Sequence, residues 1–397
     1  MQRRDLLKLA ALTAGAAAAQ RAFGSTLQQP DVPDPSVRRV LVVFKCHLDL
    51  GFTDTQAAVM RKYFDVYFPQ AIQTGASLRH AGGDRYTWTT GSWLLYEYLE
   101  QATAEQRRTM EQAIAAGDIS WHALPFSWQT EMLDRTMIEG ALGFSRSLDA
   151  HFGHKTIAAK MTDVPGHTRG IIAPLAAAGI SMLDIGVNGA SMPPNVPDVF
   201  LWKATDGSTL PMIYHRHDYG GTVVLPNTDT AFSIEMRGDN AGPHSPEEIR
   251  AIYTRLRQRF PNATVTAATL SDVAAALAPV RDKLPIVTEE IGDTWIYGIP
   301  SDPPKVARYR EAARMRQEWI AQKQLEVGGD VDRALLRRMT LSVEHTWGTD
   351  TKRYLDHDHY KSADLAAVLG EPGYRTMEAS WKEKRDDLGD GIGRLPA

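Results

Sequence analysis

A chain of 397 residues with a formal net charge of −4 and 43% hydrophobic residues has room for one large α/β unit and a smaller one, each with its own core. Lys and Arg are scattered rather than gathered into an arm or stripe, which argues against nucleic acid or an anionic membrane as the partner. A single cysteine, Cys46, excludes an internal disulfide, so stability has to come from core packing and from any bound metal.

At the start of the chain, MQRRDLLKLAALTAGAAAAQ joins a twin arginine (Arg3, Arg4) to a short Ala-rich apolar stretch. The pattern resembles a twin-arginine export signal, with residues 1–28 as signal and processing region. The stretch is shorter than the roughly 20 residues of a membrane span. The expectation is therefore an exported protein, periplasmic or extracellular, with no membrane contact once mature.

Beyond a Pro-rich segment at 29–36, apolar runs rich in β-branched residues alternate with helix-period segments. Strands are expected at 40–44, 85–90, 118–124, 156–162, 181–187, 210–216 and 263–270. Helices are expected at 103–117, 135–152 and 245–260, some opened by a Ser, Thr or Asp cap. Such alternation predicts a mostly parallel sheet, open or closed into a barrel, over residues 37–300. From about 302 the β signals stop. DPPKVARYREAARMRQEWIAQKQLE reads as a long helix with Pro at its start and DVDRALLRRMTLSVEH as a second, giving a helical-bundle subdomain at 301–370. The last stretch, 371–397, is polar and Gly-containing with no apolar period, and reads as a loose tail.

Catalytic groups of α/β barrels sit on loops after the carboxyl ends of strands, and two strands here run into unusually polar sequence. VLVVF leads to KCHLDLGFTD, where His47 and Asp49, two positions apart in extended chain, point the same way and could converge on one ion. Alone the pair says little, since about one His-x-Asp is expected by chance among 12 histidines. TIAAKMT leads to DVPGHTRG, with Asp163 first past the strand and Pro165 and Gly166 forcing a turn behind it. The competing role for Asp163 is a helix cap. Far along the chain, LSVEHTWGTD places His345 beside Glu344 and Trp347. A His there could be a helix-dipole partner, and the Trp could instead stack on a sugar ring.

Three of these segments, HLDLGF, KMTDVPGHTRGIIAPLAAAGI and SVEHTWGTD, occur in the order and approximate spacing of motifs in the glycoside hydrolase family 38 α-mannosidases. The first is similar to that family's His-x-Asp-x-Gly-Trp, the second to its Asp-Pro-Phe-Gly-His stretch, the third to its His-His-Asp. NATVTAATLSDVAAAL and GDTWIYGIPSDPPKVARYREAAR fit intervening segments, so the resemblance covers about residues 38–350. It implies an irregular (β/α)7-type barrel followed by a helical bundle. It also implies one Zn²⁺, or another divalent metal, held by His47, Asp49, Asp163 and His345, with Asp163 doubling as the nucleophile of a retaining glycosidase. Trp128, Trp295, Tyr297 and Trp347 are the candidates for stacking on a glycan or glycoside substrate, core packing being the competing role for each.

Departures from the family pattern sharpen three questions. Where the family carries its general acid, this chain has MRGDNAGP, with the amide Asn240 at the expected place; Asp239 is the first choice of acid and Asp218 the second. The carboxylate that follows the family's last ligand is replaced by Thr346, and Asp350 could substitute. The family also continues into C-terminal β-domains that the sequence to Ala397 lacks. Two other functions remain open. A metal-dependent carbohydrate deacetylase would need closely spaced histidines, which HKTIAAK and HRHD supply only loosely. A non-catalytic glycan-binding protein would have kept the metal cradle and lost its acid at Asn240.

Overall fold

The structure is a computed structural model that describes residues 32–296, 298, 301–350 and 361–392. The expected signal region and Tyr297 lie outside the described residues. The described chain opens with β1 (Arg39–Cys46), then α1 (Gln56–Lys62), a π-helical turn (Tyr63–Tyr67) and α2 (Phe68–Ala81). Next come β2 (Trp88–Gly91), α3 (Ser92–Gln101), α4 (Ala104–Ala115), β3 (Ile119–His122) and α5 (Arg135–Phe152). They are followed by β4 (Ala158–Thr162), β5 (Gly166–His167), α6 (Ile172–Ala177) and β6 (Met182–Gly186). Four strands then run without a helix between them: β7 (Val199–Lys203), β8 (Thr209–His215), β9 (Gly221–Val224) and β10 (Thr230–Arg237). After α7 (Pro246–Arg259), β11 (Thr264–Ala267), α8 (Leu270–Leu277), β12 (Ile286–Val287) and β13 (Ile291–Gly292), the chain is helical, in α9 (Pro303–Ala321), α10 (Asp330–Met339) and α11 (Pro372–Ile392).

The strands form two curved sheets. One has the order β3-β2-β1-β10-β9, with β11 also beside β1; the other has β12-β7-β8-β6-β4. Pairing is parallel around β1 and through β4, β6 and β8, while β9 and β7 run antiparallel to β10 and β8. The sheets meet where Ala123 N donates to Ala158 O at 2.9 Å. The result is the expected irregular α/β barrel-type architecture; among the described residues no ladder closes the ring on the far side.

Strand parity sorts the residues. Val40, Val42, Phe44 and Cys46 pack outward into the cluster shared with the helices, and Leu41 and Val43 pack inward with Ala158, Met182, Ile213 and Phe232. Lys45 and His47 continue the inward row, so the interior turns from apolar to charged toward the carboxyl ends of the strands. In that middle layer Lys160 pairs with Asp184, which also lies 2.9 Å from His215 Nε2. Every buried charge there has a partner to repay its desolvation except Lys45, whose amine burial pushes down to about 7.

Local signals explain the helices that the sequence announces. Capping boxes at Thr103 with Gln106 and at Ser245 with Glu248 open α4 and α7, and Asp134 caps α5, which ends on left-handed Gly153. The helical unit is tied to the barrel by Arg316 on α9, which is fully buried, binds Asp332 on α10 at 2.7 and 2.8 Å and donates to Thr136 on α5. No helix of the described residues is long and apolar enough to cross a membrane.

Two expectations need correction. The stretch expected as a loose tail at 371–397 is helical over most of its described residues: 393–397 lie outside the described residues, and Pro372–Ile392 is the 21-residue helix α11. Its buried stripe is Met377, Ser380, Lys384 and Leu388, a helical spacing in which two of the four side chains are polar, so an apolar count misses it. The second bundle helix, expected to reach His345, stops at Met339 and passes through a 3₁₀ turn (Thr340–Val343), leaving His345 at a bend just beyond the bridge at Glu344.

Candidate metal centre

His47 continues the β1 ladder by donating from N to Arg237 O at 2.7 Å, and Asn240 N in turn donates to His47 O at 3.0 Å. The Asn240 side chain then clasps the next loop. Its Oδ1 accepts from Asp49 N (3.0 Å) and Tyr63 Oη (3.2 Å), and its Nδ2 donates to Asp49 O and Thr53 Oγ1, both at 2.9 Å. Asn240 sits at φ +55, a left-handed conformation that Asn tolerates better than most residues. The amide in the acid's expected position is thus a backbone clamp for a ligand loop.

Asp163, first past β4, also has a positive φ, +62. Behind it the chain doubles back through Gly166, where a Cβ would fall 2.5 Å from Gly292 Cα, so the β5–β13 pairing needs glycine there. The following turn is capped by Thr168, not by Asp163, whose Oδ1 accepts from Asn188 Nδ2 at 2.8 Å. Nδ2 of Asn188 also donates to the Tyr219 hydroxyl at 3.1 Å.

His345 reaches the same spot from the far end of the chain. Its backbone N donates to Ser127 O, and neighbouring Glu344 forms an antiparallel bridge with Trp128. Each imidazole has its Nδ1 engaged away from the centre. For His47 the contact is Thr162 Oγ1 at 2.7 Å; for His345 it is Glu344 Oε1 at 2.8 Å, an ion contact off the N–H direction rather than an aligned hydrogen bond. Both Nε2 atoms face the two carboxylates. His47 Nε2 lies 3.0 Å from Asp49 Oδ1 and 3.7 Å from Asp163 Oδ2; His345 Nε2 lies 3.1 and 3.4 Å from the same atoms.

Four ligands bonded to one ion at about 2.0–2.2 Å in a tetrahedron stand about 3.3–3.6 Å apart. The observed 3.0–3.7 Å separations bracket that spacing. His47 Nε2, His345 Nε2 and Asp49 Oδ2 are buried with no hydrogen-bond partner, and the four residues offer ligand atoms within 4.8 Å of one another. Orphaned polar atoms of this kind cost stability unless something fills the gap between them. The donor set fits a divalent cation of zinc type.

Without a metal the charges lean on one another. Burial would raise the Asp49 carboxyl, but His47 and His345 outweigh it and hold it well below the carboxylate range. Burial would likewise depress His345, and Glu344, with Asp163 and Asp49, holds it well above an ordinary histidine. A histidine ligand binds metal in its neutral form, so metal binding would release any proton that His345 carries.

Asp49, Asp163 and His345 of the cluster line a pocket of about 200 Å³, with His47 behind them. That is smaller than the roughly 300–1,000 Å³ of drug-sized sites and suits one sugar ring. Trp295, Trp347, Tyr219 and Asp239 line its walls. Asp239 is exposed at the rim, yet its carboxyl faces the pocket; desolvation by the walls first, then Asp49 and Asp163, push its pKa up. A larger cavity of about 370 Å³, lined by Arg85, His154 and Ser271, shares no residue with the cluster, so donor chemistry rather than size locates the site.

Not every expected residue arrives. Trp128 is 1% exposed and lines a small apolar void with Leu124, Ile138 and Met161; it is a core residue, drawn inward by the bridge to Glu344. Asp218 lines a separate cavity with His215 and Arg216. Asp350 lines the pocket, while the carboxylate set against His345 is Glu344. Sequence reasoning missed Asn188 and Tyr219. Asn188 lies two positions beyond β6, as polar and Gly-flanked as the segment after β4, which is the signal that could have found it.

Residues 299–397 match a family described as a domain of unknown function, DUF5054. No curated protein matches the chain. Among solved structures, an α-mannosidase from Enterococcus faecalis V583 is 11% identical with a TM-score of 0.58, covering 90% of this chain and 42% of that one. A glycosyl hydrolase family 38 protein from Enterococcus faecalis is 10% identical with a TM-score of 0.50, covering 90% and 40%. The chain therefore spans less than half the length of either protein, and the likeness is one of fold.

Proposed function

We propose that the protein is a metal-dependent retaining glycoside hydrolase, α-mannosidase-like, that cleaves glycans or glycosides outside the cytoplasm after export by its twin-arginine signal, with zinc as the metal. The observation that carries the reading is the cluster of His47, Asp49, Asp163 and His345, in which His47 Nε2, His345 Nε2 and Asp49 Oδ2 are buried with no hydrogen-bond partner, beside a sugar-sized pocket. The fold shared with α-mannosidases supports the substrate class.

A bound divalent cation would act as a Lewis acid toward neighbouring sugar hydroxyls and favour a distorted ring. Asp163, fixed by Asn188, attacks the anomeric carbon as the bond to the leaving oxygen breaks, forming a glycosyl ester on its carboxylate. Asp239, whose carboxyl the pocket walls and then Asp49 bias toward the protonated form, gives a proton to the leaving oxygen. In the second half Asp239 takes a proton from water, the water oxygen attacks the same carbon, and Asp163 is released with net retention. Trp295 and Trp347 give the ring apolar faces to stack on.

The test is hydrolysis of an aryl α-mannoside before and after metal stripping, with Asp163→Asn alongside. Both treatments should abolish turnover while the unfolding transition stays cooperative. Full activity in the stripped protein would overturn the reading, and release of acetate without sugar cleavage would replace it with a deacetylase.

A further inference from the structure

Glu344 is fully buried behind His345, and what neutralises it comes from the C-terminal helix. Its Oε2 accepts from Lys384 Nζ at 2.7 Å, from Thr346 Oγ1 at 2.5 Å and from Thr346 N at 3.2 Å; its Oε1 faces His345 Nδ1 and accepts from Leu50 N at 3.4 Å. Lys384 is 1% exposed, and its other contacts, Thr346 O and Oγ1 at 3.0 Å each, go to the same loop. An ion pair this deep gains little net stability over apolar side chains, since both ions lose their water. What it does supply is a fixed direction for the carboxylate.

The same stretch of α11 also grips the other ligand loop. Glu383 accepts from Gln56 N at 2.7 Å and Ala57 N at 2.9 Å, at the start of α1 just beyond Asp49. Gly51, at φ +129, has Lys384 Cε 3.3 Å from where its Cβ would be. Gly348, at φ +153, has Trp381 at 2.6 Å and Ser380 Oγ at 2.8 Å from that point. Bare backbone from both ligand-bearing loops is pressed against residues 380–384.

We infer that Lys384 is a positioning residue of the metal centre: acting through Glu344 it orients His345, so that the segment matched as a domain of unknown function completes the barrel's site. This rests on the metal reading above. Partners behind a metal-bound histidine typically change affinity by about 10–100-fold when removed.

The experiment measures zinc affinity of the full chain by competition with a chromophoric chelator. It compares wild type, Lys384→Met, Lys384→Arg, Glu344→Gln and the Lys384→Met/Glu344→Gln double variant, with thermal unfolding of each metal-free form. Lys384→Met should bind zinc about 10–100-fold more weakly, Lys384→Arg should recover most of the loss, and the double variant should bind no more weakly than Glu344→Gln. If Lys384→Met fails to fold around an unpaired Glu344, the double variant, free of that charge, carries the comparison. Affinity of Lys384→Met within twofold of wild type, or an additive double variant, would overturn the inference. Wild type that binds no zinc would overturn the metal reading itself, a distinct result.

Discussion

Replacing Asn240 by Asp is the perturbation that separates a lapsed acid from a structural clamp. Asn240 Nδ2 points at two oxygens, Asp49 O and Thr53 Oγ1, each 2.9 Å away, in a site only 4% exposed. An Asp keeps the Oδ1 contacts to Asp49 N and Tyr63 Oη but sets a second carboxylate oxygen against a carbonyl oxygen. Leaving the buried Asp49 carbonyl without its donor costs about 1–3 kcal/mol. The new group can escape repulsion by staying protonated, and holding a carboxyl of ordinary pKa near 3.9 neutral at pH 7 costs up to about 4 kcal/mol at 1.36 kcal/mol per unit. The two routes are alternatives, so the expected loss is about 1–4 kcal/mol, read as a lower urea midpoint with an unchanged m-value, together with weaker zinc binding and lower turnover of an aryl α-mannoside. Stability within about 0.5 kcal/mol of wild type combined with increased turnover would refute the reasoning and put position 240 at the reacting bond.

Asp239→Asn should lower kcat/KM for glycosides with poor leaving groups at least about 100-fold while sparing kcat/KM for dinitrophenyl glycosides, whose kcat falls because the second half has lost its base, and should abolish the alkaline fall in kcat/KM that loss of its proton produces; equal loss of kcat/KM for both leaving groups would remove Asp239 as the acid. Trp128→Ala should cost about 3–5 kcal/mol of stability with little change in KM, whereas Trp347→Ala should raise KM with little change in unfolding midpoint; the reverse pattern would exchange their roles. Burial holds His167 down to about 3 and His244 to about 4. Folded values below the unfolded 6.5 mean that their contribution is fully present above about pH 6.5 and is lost as pH falls toward 4 and then 3. The metal-free melting temperature should decline over that window and less steeply in His244→Gln; a midpoint unchanged from pH 7 to 4 would contradict this.

Much of the barrel was legible because its signals are local. Apolar runs mark β1, β4, β6 and β8, and capping boxes mark α4 and α7. The central strand β10 carries a weaker signal: Phe232, Ile234 and Met236 alternate with Ser233, Glu235 and Arg237, a period of two with no continuous apolar run to announce it. Helix α11 hid because Ser380 and Lys384 occupy core positions justified by partners 31 and 40 residues away in the chain. At the site, the four ligands could be named from short motifs, but their supporting contacts could not. That Asn240 faces the Asp49 backbone, that Glu344 stands behind His345 and that Trp128 turns inward are all consequences of tertiary packing.

The central claim is that one metal ion joins residues separated by nearly three hundred positions. Diffraction from zinc-soaked crystals on either side of the zinc absorption edge tests it most directly. The account predicts a single anomalous peak about 2.0–2.2 Å from His47 Nε2, His345 Nε2 and one oxygen each of Asp49 and Asp163. No peak between those four side chains, or a peak bound elsewhere while their Nε2 atoms stay unpartnered, would contradict it.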